Sequence, residues 1–154
     1  MKTYLIHKVI TLGLIFCLSA CSLFDDSGEP AAGDPAGTVS VNMRDFKQGG
    51  SWLKIDDRAI GFVFSSNNFN CYNDGGIVDV GQCKLGKVKS IPSSTSWSAP
   101  VAAKIGHSYI VRGRKNGNPV YLRFYVVDWL ISASSNGILG VAIKYQYPFT
   151  PDNS

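Results

Sequence analysis

YLRFYVVDWLIS (121–132) decides the fold class. Leu122, Phe124, Val126 and Leu130 alternate with Tyr121, Tyr125, Val127, Trp129 and Ile131, so an extended chain here carries large apolar side chains on both faces. Such a strand belongs at the centre of a sheet, with one face in the core and the other partly covered. KNGN (115–118) precedes it and SSNG (134–137) follows it. Asn-Gly supplies the positive φ angles of a type I′ hairpin turn. The next strand places Leu139, Val141, Ile143, Tyr145 and Tyr147 on one face and Gly140, Ala142, Lys144 and Gln146 on the other, the pattern of a half-buried strand. The C-terminal third therefore reads as an antiparallel hairpin meander.

Working outward, no stretch of the domain keeps a 3.6-residue apolar period. Short runs rich in Val, Ile, Tyr and Phe alternate with Gly, Asn, Ser and Pro clusters. Strands are expected near 38–43, 51–55, 59–65, 77–80, 87–91, 100–103, 107–114, 119–131 and 138–147. The fold class is all-β: a single antiparallel β-sandwich as first choice, a partly open β-barrel as second.

The other end of the chain reads as an address. Lys2 and Lys8 precede one apolar run, Val9 to Leu18. Ten helical residues reach about 15 Å, half of a hydrocarbon core of about 30 Å, so the run suits a secretory signal (1–20) better than a span. It ends in Leu18, Ser19, Ala20, Cys21, which resembles the lipobox of bacterial lipoproteins. The resemblance implies that Cys21 becomes an acylated N-terminus held to the membrane; two or more acyl chains anchor stably where one does not. The alternative is an ordinary signal peptide with an incidental cysteine. Residues 21–37 carry four acids, Asp25, Asp26, Glu29 and Asp34, and no base, and read as a flexible tether. Serine followed by close acids resembles the export signal of Bacteroidetes-type surface lipoproteins, which implies an outer-membrane protein displayed at the cell surface. The plainer alternative is a periplasm-facing tether.

A β domain is expected over 38–149, with a short tail at 150–154. GHSYIVRG (106–113), YLRFYVVDWLI (121–131) and VAIKYQYPF (141–149) resemble strands of short Bacteroidetes-type lipoproteins of unknown function. This implies location and fold and carries over no catalytic residue. The domain holds 13 Lys and Arg against 6 Asp and Glu, a balance of +7, while the whole chain is +4. A basic domain on an acidic tether attracts anionic partners such as polysaccharides, or simply stays soluble. An exported chain gives no reason to expect nucleic acid.

Outside the reducing cytoplasm Cys71 and Cys83 remain, and they either bridge across CYNDGGIVDVGQC or stay unpaired as small buried residues. Two cysteines and His107 lack a zinc spacing. NNFNCYNDGG (67–76), set on a calcium loop, lacks two of the required oxygen ligands and reads as an Asn/Gly-rich turn. His107 and Ser108 point to opposite faces of a strand, so no nucleophile–base pair forms between them. Asp79 and Asp128 are the acids embedded in strands, and Asp128 is placed to pair with Arg112 or Arg123. The expectation is a binding protein rather than an enzyme, without catalytic residues, metal or cofactor. The candidate ligand contacts are aromatic and basic: Trp97 in SSTSWS, Trp52 after the Gly49–Gly50 pair, and the hairpin-tip cations Arg112, Arg114 and Lys115. The ligand is read as an anionic glycan, with an envelope protein as the alternative partner.

Overall fold

The 121–132 stretch becomes the middle of a five-stranded sheet in the computed structural model, which describes residues 33–72, 75–93 and 95–153. The signal segment 1–20, Cys21 with its expected acylation, and most of the 21–37 tether lie outside the described residues. In chain order the strands are β1 (Val39–Arg44), β2 (Leu53–Ile55), β3 (Ile60–Ser65), β4 (Asn68–Cys71), β5 (Gly76–Gln82), β6 (Val101–Ala102), β7 (His107–Lys115), β8 (Asn118–Ile131) and β9 (Ile138–Phe149). One sheet runs β1-β9-β8-β7-β5 and the other β2-β3-β4-β6, every pairing antiparallel. The two sheets pack face to face and do not close into a barrel. The architecture is a β-sandwich.

Of the two Asn-Gly turns expected in the meander, the first forms as such; at the second only Asn136 (φ 52°) is left-handed and Gly137 is not, so residues 132–137 form a longer loop between β8 and β9. Asn116 (φ 51°) and Gly117 (φ 83°) join β7 to β8 with both central residues left-handed. Ser66 (φ 50°) and Asn67 (φ 62°) do the same between β3 and β4. That hairpin makes NFNC a strand, where the sequence suggested an Asn/Gly-rich turn.

Phe124 of β8 sits at the centre of the core. It stacks on Phe62 and Tyr109 at 4.9 and 4.8 Å between centroids and meets Phe69 edge-on at 4.8 Å. Leu122 and Val126 flank it on the same face, and Val141 and Ile143 of β9 join them. The alternation then breaks. A register shift between Val126 and Asp128 inserts one residue, so Trp129, not Leu130, turns inward against Phe64.

The five-stranded sheet has a second, smaller cluster on its far face. Val78, Ile110 and Phe149 are covered there by Val88, with Cys83, Ile91, Trp97 and Tyr121 packed around them. Residues 87–91, expected as a strand, are instead part of an irregular strap that crosses this face after a short 3₁₀ turn at Leu85–Lys87. Val88 and Ile91 are apolar because they face the sheet, not because they pair in one.

The expected Cys71–Cys83 bridge is not made, and both thiols are free. Between them runs β5, Gly76–Gln82, whose seven residues extend about 23 Å at 3.3 Å each, far beyond the roughly 4.4–6.8 Å between bridged Cα atoms. Cys71 packs against the main core and Cys83 against the outer cluster. Burial pushes the Cys71 thiol up to about 12.

Both ends of the described chain dock on the outer face. Asp34, at the end of the expected tether, accepts from Lys144 Nζ at 2.9 Å, and Gln146 donates to the Ala36 carbonyl at 2.9 Å. In the expected tail, Asn153 exchanges two hydrogen bonds with the backbone of Ile91, and the Asp152 N–H donates to Lys89.

Candidate functional site

Strand parity sorts the basic residues of the β7–β8 hairpin. Val111 faces the main core, so Arg112 and Arg114 face outward with Ile110, while Lys115 faces the other sheet. Lys115 is accordingly drawn to Asp56 in the β2–β3 turn, with Nζ–Oδ1 at 2.7 Å. Tyr147 also donates to Asp56, and the two donors, Lys115 first, hold that carboxyl below its ordinary range against the opposing effect of burial. Arg114 reaches back to the Gly117 carbonyl at 3.2 Å. Of the three tip cations, Lys115 thus leaves the group.

Arg112 meets Trp97. Its guanidinium carbon lies 4.5 Å from the Trp97 ring centroid, at cation–π distance. Trp97 is half-buried. A Cβ on Gly76 would come within 2.7 Å of the Trp97 Cβ, so only glycine lets the strap settle this close to β5. Tyr121, the cross-strand partner of Arg112, lies 6.2 Å from Trp97 and tilted 31°. Phe149 is the partner of Tyr121, and the Arg123 guanidinium lies 4.7 Å over the Phe149 ring. Trp97 of the strap and Arg112, Tyr121, Phe149 and Arg123 of β7, β8 and β9 therefore form one row of aromatic and cationic groups on this face.

Arg123 was not singled out from sequence. It is 6% exposed, donates through Nε to Gln146 at 2.8 Å and through Nη1 to the Val88 carbonyl. Burial lowers its pKa, partly offset by Asp152. The signal was present: an arginine at an outward position of a strand whose neighbours are all large and apolar.

Trp52 lies elsewhere. It meets Tyr72 edge-on at 5.7 Å and lines a groove of about 240 Å³ between β1 and the 49–53 segment. Gly50 there abuts the Arg44 carbonyl, where a Cβ would lie 2.0 Å away.

A third cluster joins residues far apart in sequence. Asp79 accepts from His107 Nδ1 at 2.9 Å, from Lys104 Nζ at 3.1 Å and from the Gly81 N–H at 2.8 Å. The β-bulge between Asp79 and Gly81 aims the carboxylate at these donors. Ser108 points the other way and donates to the Cys83 carbonyl at 2.7 Å, so the His–Asp pair has no adjoining nucleophile there. Asp128 is exposed and accepts from the Trp129 N–H at 2.7 Å instead of pairing with an arginine. Among the described residues, no three His, Cys, Asp or Glu side chains gather as metal ligands. The chain matches no family model and no curated protein.

Proposed function

We propose that this chain is a non-enzymatic cell-envelope lipoprotein, anchored at the outer membrane by acyl chains on Cys21, whose sandwich binds an anionic glycan outside the cell. The observation that carries the reading is the Trp97–Arg112–Tyr121 contact. An arginine held over a tryptophan ring is pre-organised, so a ligand carboxylate or sulfate meets it without ordering a free side chain. Tyr121 and the open rim of Trp97 offer apolar area to a sugar ring. Arg114 on the same face adds long-range attraction.

Full-length chain, purified in a non-ionic detergent, should bind polyuronate and sulfated oligosaccharides and not their neutral counterparts. Affinity should fall with salt as the Debye length shrinks from about 10 Å at 0.1 M to about 3 Å at 1 M. Arg112→Gln should flatten that salt dependence. Trp97→Ala should weaken binding by about 1–2 kcal/mol, the scale of a partly desolvated cation–π contact. Equal binding of neutral and anionic glycans would overturn the reading.

A second reading, an accessory subunit of an envelope complex, is favoured by β1. This six-residue strand ends its sheet, and its own Val39 and the nearby Phe46 are 45% and 49% exposed. Half of its backbone groups face away from β9, free to pair with a partner strand. Site-specific photocrosslinking from position 42 in intact envelopes distinguishes the two: a discrete protein adduct supports the subunit reading.

A further inference from the structure

Beyond the Trp97–Arg112 contact, we propose that the pocket at Arg123 binds a small monoanionic oxygen group, a carboxylate or a sulfate ester. The pocket measures about 220 Å³, and its lining includes Lys89, Arg123, Gln146, Phe149, Thr150 and Asp152. That is below the roughly 300–1,000 Å³ of sites for drug-sized ligands, so it takes a functional group and not a whole ring system.

Arg123 is the reason for an anion. Arg123 is only 6% exposed as a residue, and a cation this buried is costly without a counter-charge. Its hydrogen bonds go to neutral acceptors, the Gln146 side chain and the Val88 carbonyl. Among the described residues no carboxylate lies at ion-pair distance from it, and Asp152 acts only from farther off. Nη2 has no hydrogen-bond partner among the described residues, and no fully buried side-chain nitrogen there is unpartnered. Nη2 therefore reaches accessible surface, and the pocket is where Arg123 meets it. Lys89 adds a second positive charge and Asp152 one negative charge, leaving the lining at +1. One negative charge on the ligand balances it. Thr150 supplies a hydroxyl for the remaining oxygen, while Gln146 is held by Arg123 and the Ala36 carbonyl. The inference holds whether or not the Trp97–Arg112 row binds a glycan.

The test uses the isotopically labelled full-length chain in non-ionic detergent, titrated with acetate, methyl sulfate, glucuronate and, as neutral control, acetamide. The Arg123 Nε–H signal and the amides of Lys89 and Thr150 should shift with the three anions and not with acetamide. Glucuronate binding more tightly than acetate assigns the group to a sugar, and equal binding assigns it to a free small anion; both support the pocket. Because Arg123→Gln can unfold the outer cluster, the charge variants carry the decision. Lys89→Gln should weaken acetate about two- to fivefold, and Asp152→Asn should tighten it by a similar factor, the scale of partly exposed charge pairs. No shift with any anion, equal shifts with acetamide, or an Asp152→Asn chain that binds no tighter would overturn the proposal.

Discussion

Asp79 shows how opposing effects on one side chain are weighed. Burial alone would raise its pKa, but donors from His107, Gly81 and Lys104 outweigh it and hold the carboxyl below its ordinary value. A carboxyl depressed in the folded state stabilises the fold above the unfolded pKa, near 3.8, and that contribution is lost as pH falls through the lower folded value. Denaturant midpoints should therefore decline below about pH 4, and Asp79→Asn should lower stability near neutrality while making the acid decline shallower. Asp56, also depressed, keeps part of the slope in that variant. Parallel acid curves for the two proteins would show that Asp79 contributes nothing specific. This cluster was not legible in the sequence. His107 and Asp79 stand 28 residues apart, and only the β5–β7 register, with Gln82 opposite His107, brings them together. The tip cations were legible as a group, but strand parity separated Lys115 from Arg112, and Asp56 claimed it.

Between the two sheets, the β2–β3 turn presses against β7. Asp56, Asp57 and Arg58 take positive φ in succession, at 53°, 50° and 74°, and bring the Ala59 carbonyl to Arg114, whose N–H donates to it at 3.0 Å. A Cβ on Gly113 would lie 2.0 Å from that carbonyl oxygen. Gly113→Ala must push the turn away and break the contact, so it should cost about 1–3 kcal/mol, the usual scale of overpacking. Gly117→Ala is the control: its Cβ meets open space, and its φ of 83° alone should cost about 1–2 kcal/mol. Urea midpoints of the two variants decide this, and a neutral Gly113→Ala would mean the turn yields freely. At this scale β7, β8 and β9 were readable, because β-branched and aromatic runs flanked an Asn-Gly turn. Trp129 was misplaced because a bulge leaves no mark in an alternating pattern. β4 was missed because Ser66-Asn67 is weak turn chemistry beside Asn-Gly, and 87–91 was taken for a strand because residues facing a sheet carry the same apolar character as residues within one.

Across the molecule, the sandwich has one face that three separate pieces of chain cover: the strap carrying Cys83, Val88, Ile91 and Trp97, the 33–37 segment and the C-terminal residues. The sequence showed that β8 needs cover on both faces, but not what supplies it, since polar stretches such as Pro151-Asp152-Asn153 read as a tail. Their polarity is spent on backbone partners in the strap. Asn153 accepts from the Ile91 N–H at 2.9 Å and donates to its carbonyl at 2.8 Å, the Asp152 N–H donates to Lys89 at 2.9 Å, and Pro151 is buried. With each net hydrogen bond contributing about 0.5–1.5 kcal/mol, and exposed ones at the low end, truncation after Thr150 should destabilise the strap by roughly 1–3 kcal/mol. The loss should be local, because none of these residues belongs to the hydrophobic cluster around Phe124. Hydrogen exchange resolves the two scales. Amides from Val88 to Ile91 should exchange faster in the truncated chain, while those of Phe62, Phe64 and Phe124 keep their protection. Unchanged exchange along the strap would mean that packing of Val88, Ile91 and Trp97 on the sheet holds it unaided. Faster exchange at Phe124 as well would mean that strap and sandwich unfold as one unit, and the outer face could not then reshape around a ligand without loosening the core.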